Sequence, residues 1–203
     1  MAEQTKQKIL SVSLKLFADR GYHAVSIRDI CREVPIKEST LYYYFQNKRE
    51  IFLVLLKLFE EQAERLTGGL HWLQESSPGG GEAFGAGVSH VFFEEYLMDD
   101  FCNSFLRILQ IERGSDPDSQ ALYDRWLFEK PLQIQSRVFS MLMRLGVIPE
   151  GDFEALAIQY YAPVFLFLER YLLCGELTEE KKEKFRQAAG SQIDFFFKKL
   201  GVR

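Results

Sequence analysis

Apolar residues recur three and four positions apart along almost the whole chain, the spacing that gives an α-helix one buried face. No stretch keeps the strict alternation of a β-strand between turn signals. The pattern therefore predicts an all-α protein of about nine helices. The predicted helices lie near residues 4–20, 26–34, 38–45, 101–113, 119–145, 152–174 and 178–200, with one more beginning at Asn47 and one near residues 82–99.

The first helices carry recognisable start and stop signals. Gly21 follows the first helix, where a residue with a left-handed backbone commonly ends it. Ser26, with Asp29 three residues later, has the pattern of a capping box at the start of the second helix. Pro35 ends the second helix, and Asn47 is a candidate N-cap for the fourth. These signals predict short helices joined by tight turns.

Glycines and prolines divide the rest of the chain. The fourth helix is expected to end before Gly68 or Gly69, and residues 74–81 have the composition of a flexible loop. Pro131 and Pro163 fall inside helical patterns, so we expect each of them to kink or interrupt its helix.

Composition narrows the class of protein. The 203 residues are 47% hydrophobic and 14% aromatic, which excludes a disordered or low-complexity chain. No segment approaches the roughly 20 apolar residues of a membrane-spanning helix, and the N-terminus lacks the apolar core of a secretory signal. The three cysteines and three histidines are too scattered for a disulfide framework or a metal site. We therefore expect a soluble cytoplasmic protein without membrane contact, metal or cofactor.

Charge is distributed unevenly along the chain. Residues 1–50 carry nine lysine and arginine residues against six acidic residues, a net charge of +3, whereas the whole chain has a net charge of −4. The remaining residues therefore carry a net charge of −7. Such a chain presents one basic end to an anionic partner.

The basic end contains two short helices joined by a three-residue turn, the arrangement of a helix-turn-helix. Such helix pairs also occur in proteins that do not bind DNA, so both interpretations are open on this pattern alone. Leu41 and Phe45 take the buried face of the third helix, which leaves outward the hydroxyl-bearing residues Ser39, Thr40, Tyr42, Tyr43 and Tyr44. Hydroxyls and amphipathic rings suit phosphates and base edges, so this surface favours DNA binding.

Residues 9–52 closely resemble the DNA-binding region of the TetR (tetracycline-repressor) family of bacterial transcription regulators. The resemblance rests on Leu16, Phe17, Gly21, Tyr22, Ser26, Ile30, Thr40, Leu41, Tyr42, Phe45 and Lys48. It implies that Ser26 caps the second helix and contacts a phosphate. It further implies that the DNA backbone is held by Thr40, Tyr42 and Lys48, and that bases are faced by Arg28, Glu38, Ser39 and Tyr43.

Four residues depart from the family pattern. Cys31 replaces a usual alanine, and Ser39 replaces a frequent glycine. Lys37 replaces a usual serine or threonine; it cannot cap the third helix through an oxygen, but it adds a cation near the groove. Pro35 replaces the usual glycine of the turn. Because proline does not offer the positive φ of glycine, we expect the turn to take another backbone geometry.

The resemblance implies a regulator with two domains. Residues 1–48 are expected to form the helix-turn-helix DNA-binding domain, and residues 49–203 the ligand-sensing and dimerisation domain. A homodimer through the last two helices would present two heads to an inverted repeat in double-stranded DNA, in major grooves about 34 Å apart. The fourth helix, running from the head into the body, is the expected lever by which a bound ligand moves the heads.

The body is rich in aromatic rings, which suit a small lipophilic effector as well as an ordinary core. The expected ligand-binding residues are Phe92, Tyr96, Phe105, Trp126, Phe139, Tyr160 and Tyr161. Because acidic residues such as Glu94 and Glu112 occur in the same region, we expect a neutral or cationic ligand. The expected function is a ligand-responsive regulator, a repressor that the effector releases from DNA.

Two other classes of function stay open. In the first, the body docks a protein partner and its rings are simple core, which a body without a cavity would indicate. In the second, the chain is a helical enzyme, but the sequence offers no recognisable set of acid, base and nucleophile. The sequence therefore favours a regulator over an enzyme.

Overall fold

The computed structural model describes the backbone of residues 2–76 and 91–201 and the side chains of residues 2–66 and 91–201. Within these ranges the chain forms nine continuous helical runs and no β-strand, which confirms the all-α prediction. The elements are α1 (Ala2–Arg20), α2 (Ile27–Glu33), α3 (Glu38–Tyr44), α4 (Lys48–Ser76), α5 (Val91–Leu97), α6 (Asp100–Glu112), α7 (Pro117–Asp124), α8 (Lys130–Arg144), α9 (Phe153–Phe167) and α10 (Glu179–Lys199). α5 is π-helical; the π-helical turn Arg125–Glu129 joins α7 to α8, and the π-helical turn Leu168–Leu172 extends α9.

α1 buries one stripe of its surface and ends at a glycine. The stripe consists of Ile9, Leu10, Ser13, Phe17 and Ala18, at the three- and four-residue spacing of one helix face. Gly21 has a φ of +84°, and its N–H donates to the carbonyl of Phe17 at 2.8 Å. The predicted stop signal at Gly21 is confirmed.

The predicted start signals of α2 and α4 are also confirmed. The Ser26 hydroxyl accepts from the N–H of Asp29 at 3.2 Å, and the Asp29 carboxylate accepts from the N–H of Ser26 at 2.9 Å, which completes a capping box. Oδ1 of Asn47 accepts from the N–H of Glu50 at 2.9 Å. Lys37 precedes α3 and makes no capping bond among the described residues, because an ammonium can only donate.

α4 is longer than the sequence indicated. It continues through Gly68 and Gly69 to Ser76, so the prediction that it ends before them is wrong, as is the prediction that residues 74–76 belong to a loop. Glycine disfavours a helix by only about 1 kcal/mol relative to alanine, because helical φ and ψ remain accessible to it. The rest of the predicted loop, residues 77–81, and the start of the predicted fifth helix, residues 82–90, lie outside the described residues.

The turn between α2 and α3 contains Pro35 at a φ of +30°. The prediction that proline imposes another backbone geometry is therefore wrong, since the turn keeps a positive φ. Backbone hydrogen bonds form on both sides of Pro35. The N–H of Val34 donates to the carbonyl of Ile30, and the N–H of Ile36 donates to the carbonyl of Cys31, both at 3.0 Å. These bonds and the burial of Val34 close the turn.

The described helices fall into two compact units. The first comprises Met1–Glu64 and Asp100–Tyr123, and the second comprises Arg65–Asp99 and Asp124–Arg203. The predicted DNA-binding domain, residues 1–48, thus shares its unit with the first part of α4 and with α6 and α7. The functional division at residue 48 stays a prediction.

The first unit has a core in which the helix-turn-helix and α6 both take part. Leu41 and Phe45 of the α3 region are buried, as predicted from their spacing. Phe105 of α6 stacks on Phe59 with ring centroids 4.6 Å apart and on Phe52 with centroids 5.7 Å apart. Aromatic packing of this kind adds to the apolar area removed from water, so α4 and α6 are firmly joined within this unit.

In the second unit, two prolines stand in helical segments that continue past them. Pro131 stands at the start of α8, directly after the π-helical turn Arg125–Glu129. Pro163 lies inside α9, before the π-helical turn Leu168–Leu172. The predicted interruption at Pro131 therefore takes the form of altered hydrogen bonding. None of the helices in the described part of the chain is long and apolar enough to cross a membrane.

Candidate nucleic-acid interface

Ser26 begins the candidate interface at the N-terminus of α2, where its side chain is exposed. Besides its capping bond, the hydroxyl donates to Oδ2 of Asp29 at 2.6 Å. The hydrogen bonds from Ser26, together with the nearby cations Arg20 and Arg32, lower the pKa of Asp29 to about 2. Asp29 is therefore ionised at neutral pH. For Ser26 to donate to a phosphate, as the family pattern implies, its hydroxyl must turn away from this carboxylate.

An ion pair joins α2 to α3 across the turn. Nε of Arg28 donates to Oε1 of Glu38 at 3.1 Å, and both side chains are exposed. Such a pair contributes only about 0–1 kcal/mol in water. Both residues are predicted to face bases, and the structure brings them together at the N-terminal end of α3. The pair therefore orients a guanidinium at the first turn of that helix.

The outer face of α3 is exposed and rich in hydroxyl groups. Tyr43 is 80% exposed and Tyr42 is 50% exposed. The ring of Tyr44, which is half-buried, meets the ring of Tyr43 edge-on with centroids 5.1 Å apart. The other predicted residues of this face, also exposed or half-buried, are Lys37, Ser39 and Thr40. This face offers hydroxyl donors and ring surface to a bound molecule.

Lys48 lies in surroundings that the sequence did not indicate. Its ammonium donates to the carbonyls of Tyr22 and Val25, both at 2.7 Å, and to that of His23 at 3.4 Å. It also lies 4.3 Å from the centre of the Tyr22 ring. Burial lowers the pKa of Lys48, and the nearby Glu112 opposes that shift. In this geometry Lys48 holds the α1–α2 loop, residues 21–25, so its predicted phosphate contact stays a prediction.

Glu112, the last residue of α6, holds the same loop. Its Oε1 accepts from the N–H of His23 at 3.1 Å, and its Oε2 contacts Nδ1 of His23 and accepts from the Ser115 hydroxyl at 2.7 Å. Burial opposes ionisation of this carboxyl, but the hydrogen bonds from Ser115 and His23 outweigh it and hold the pKa of Glu112 below its ordinary value. Sequence reasoning missed this contact because the two partners are 89 residues apart and belong to no motif.

The seven predicted ligand-binding residues are all buried, none of them more than 4% exposed. Phe105 belongs to the first unit, and the other six belong to the second. Phe92 stacks on Tyr96 with centroids 5.7 Å apart and meets Tyr161 edge-on at 6.2 Å. A separate ring contact joins Phe139 and Tyr160 at 5.6 Å. A ligand role for these residues stays a prediction.

Two of these tyrosines supply donors that Pro131 lacks. Proline has no N–H to donate to the carbonyl of Leu127, four residues back, or to that of Trp126, five residues back. The hydroxyl of Tyr161 donates to Leu127 O at 2.8 Å, and the hydroxyl of Tyr96 donates to Trp126 O at 3.0 Å. Because a buried carbonyl needs a partner, both hydroxyls have a structural role.

Two carboxylates expected beside the ligand already have partners. Arg186 donates to both oxygens of Glu94, at 2.7 and 2.9 Å, and this pairing raises the pKa of the guanidinium. Glu112 belongs to the first unit, where its carboxylate accepts hydrogen bonds from His23 and Ser115. These two acids therefore give no support to the predicted preference for a neutral or cationic ligand.

A cleft of about 490 Å³ opens in the first unit beside the α1–α2 loop. Its walls come from that loop, the start of α4, the C-terminal end of α6 and the start of α7. The residues that line it include Tyr22, Arg49, Phe52, Leu109 and Leu122. The predicted ligand-binding residues, all of which are described, are not among them.

Comparison with known proteins connects the interface to one family. Residues 9–55 match the family model described as bacterial regulatory proteins, tetR family. The chain is also 23% identical over 201 residues to IcaR of Staphylococcus aureus, the negative transcriptional regulator of the biofilm operon icaADBC. That alignment covers 96% of this chain and 100% of IcaR.

Solved structures have the same fold. A TetR-family transcriptional regulator from Agrobacterium tumefaciens aligns with a TM-score of 0.64 at 18% identity, over 96% of this chain and 98% of that one. FadR of Thermus thermophilus, a TetR-family repressor in complex with lauroyl-CoA, aligns with a TM-score of 0.58 at 14% identity, over 98% of this chain and 96% of that one. At these identities the likeness concerns the fold alone.

Proposed function

Since the chain belongs to the TetR family of bacterial transcriptional regulators, we propose that it acts in the cytoplasm as a homodimeric repressor. It binds an inverted repeat in double-stranded DNA and is released by a small lipophilic molecule. The observation that carries this proposal is the outer face of α3, where two exposed tyrosines stand on the second helix of a helix-turn-helix.

The position of α3 supports base recognition. In a helix-turn-helix the second helix lies in the major groove, with its N-terminal residues at the base edges. Here that end carries Lys37, the Arg28–Glu38 pair and Ser39, and Tyr43 follows on the exposed face. Cations attract the phosphates without reading sequence, whereas the hydroxyl and ring of Tyr43 can discriminate between bases.

Two substitutions separate these contributions. Tyr43→Ala is expected to weaken binding to the preferred site by about 1–3 kcal/mol and to relax the preference at one base position. Lys37→Ala is expected to weaken binding to all sequences alike and to lower the slope of log affinity against log salt by about 1. Sequence selection from a random DNA pool, followed by titration at several salt concentrations, measures both effects.

The control for these variants is Arg144→Ala. Arg144 is an exposed residue at the end of α8 in the second unit, outside α9 and α10, so its removal changes the net charge of the chain as Lys37→Ala does. It is expected to leave both affinity and salt slope unchanged. Equal binding of the selected site by wild type, Tyr43→Ala and Lys37→Ala would contradict the assignment of α3.

A dimer through the last two helices is supported by the apolar residues that the chain leaves exposed. Tyr160, Val164 and Phe185 of these two helices are buried within the chain and are not available for such a contact. Another stripe of α9 faces outward and consists of Ala155, Ile158, Ala162 and Leu166. Ile158 is 56% exposed and Leu166 is 61% exposed, and Phe195 of α10 is exposed as well. Exposed apolar stripes of this kind mark association surfaces.

The effector is expected to be lipophilic because the second unit is rich in apolar rings, and because the similar FadR is bound to lauroyl-CoA. A panel of size-matched cationic, neutral and anionic lipophiles tests this. At least one member is expected to raise the melting temperature of the protein and to release it from the selected DNA site. If no member does either, the effector proposal fails while the DNA-binding proposal stands.

A further inference from the structure

The α1–α2 loop is bound by charged side chains from two other helices. Lys48 of α4 donates to its carbonyls at Tyr22 and Val25, and Glu112 of α6 accepts from its N–H at His23. Loops on a protein surface usually leave such groups to water. Here side chains bind both a backbone N–H and backbone carbonyls of one short loop. Lys48 of α4 and Glu112 of α6 together therefore fix the position of the loop.

Glu112 is buried in a way that depends on the loop. Its side chain is only 7% exposed, and a buried carboxylate is costly unless its oxygens accept hydrogen bonds. The loop supplies two of these contacts through His23, and Ser115 supplies another. If α6 shifts relative to the loop, the carboxylate loses the partners that offset its burial.

α6 is also tied to α1, the helix that precedes the loop. The Arg107 guanidinium, which is buried, donates to Oδ1 of Asp19 at 2.8 Å. Gly21 leaves room for Glu112, because a Cβ at that position would lie 2.6 Å from its Oε1. The C-terminal end of α6 is therefore fitted closely to the end of α1 and to the loop that follows.

The loop leads directly into the DNA-binding helices. Val25 is buried, Ser26 caps α2, and α3 follows α2 after the tight turn at Pro35. Because these steps are short and hydrogen-bonded, a displaced loop displaces the start of α2 and with it the exposed face of α3.

We propose that Glu112 is a positioning residue for DNA binding, whose carboxylate fixes the α1–α2 loop and so carries movements of α6 to the helix-turn-helix. This rests on the proposed function, since the effect is on operator affinity. It adds a second connection to the one through α4, and it assigns a role to a residue that does not itself touch DNA.

The test uses Glu112→Gln in the full-length protein. Glutamine keeps the shape and one acceptor, but its amide nitrogen cannot accept from Ser115 or His23. We expect this variant to bind the selected inverted repeat about tenfold more weakly than wild type. Ser115→Ala removes one hydrogen bond to the same carboxylate. Its affinity for the inverted repeat is expected to lie between those of wild type and Glu112→Gln. Affinities are compared at a temperature at which circular dichroism shows every variant folded.

The matched control is Glu94→Gln. Glu94 accepts two hydrogen bonds from Arg186 in the second unit, so its loss affects stability without touching the loop. It is expected to bind the operator like wild type. Hydrogen exchange at the His23 amide is expected to accelerate in Glu112→Gln and to stay unchanged in Glu94→Gln.

A double variant addresses the shared contact. His23→Ala and Glu112→Gln both disrupt the contact between the His23 ring and the Glu112 carboxylate. The double variant is therefore expected to bind the selected inverted repeat as tightly as whichever single variant binds it less tightly. A double variant whose loss of affinity is the product of the two single losses would overturn the proposal. Wild-type affinity in Glu112→Gln would overturn it too, and so would affinities that follow melting temperature alone across all variants. A wild-type protein that selects no DNA sequence would overturn the proposed function together with it.

Discussion

A protein carrying Leu166→Glu is expected to be a monomer at micromolar concentration and to lose tight binding to an inverted repeat. Leu166 is 61% exposed and stands on the outward stripe of α9 with Ile158 and Ala162. In a two-fold dimer the same stripe meets itself, so one substitution places two carboxylates in the interface. Burying unpaired like charges costs several kcal/mol, which exceeds what a small apolar contact supplies.

The effect on DNA follows from the loss of the second head. Two linked heads bind two half-sites with an avidity about 100-fold or more above that of one head. Light scattering measures the mass, and titration of the selected inverted repeat measures the affinity. Binding to a single half-site is expected to change little, which separates loss of dimerisation from damage to the head.

Leu145→Glu is the matched control for this substitution. Leu145 follows α8 and is also 61% exposed, but it lies outside α9 and α10. Its replacement is expected to leave both mass and affinity unchanged. If Leu166→Glu remains dimeric and binds the repeat like wild type, the two helices do not form the interface.

Gly21→Ala is expected to destabilise the protein by about 2–4 kcal/mol, through two effects at one position. Gly21 has a φ of +84°, which L side chains rarely adopt. The new Cβ would also lie 2.6 Å from Oε1 of Glu112 and 2.9 Å from Cγ2 of Ile111. Both neighbours are side-chain atoms at the C-terminal end of α6, so relief of the collision requires the Glu112 carboxylate to turn away and to lose its contacts with His23.

Thermal or urea unfolding measures this loss, and Gly190→Ala is its control. Gly190 lies inside α10, and nothing stands within 4 Å of a Cβ built on it. Alanine there is expected to stabilise the protein by about 0.5–1 kcal/mol, because it favours a helix more than glycine does. A Gly21→Ala protein as stable as wild type would show that the end of α6 is not fitted to the loop.

Features that depend on residues close together in the chain could be predicted from the amino-acid sequence. The capping box at Ser26, the stop at Gly21 and the cap at Asn47 each involve partners within four residues. Helical periodicity is local in the same sense, so the all-α class and the helix-turn-helix were predictable.

The side chains that meet across the core could not be predicted in this way. Lys48 stands at a position expected to contact a phosphate. Its ammonium instead donates hydrogen bonds to the carbonyls of Tyr22 and Val25, more than 20 residues away in the sequence. Tyr96 and Tyr161 are of the residue type expected in a ligand pocket. Their hydroxyls nevertheless donate hydrogen bonds to the backbone carbonyls of Trp126 and Leu127, close to Pro131. Glu112 meets His23 across 89 residues. Such contacts depend on how whole helices pack, and the free energy that favours one packing comes from the entire buried surface, which no local pattern of residues records.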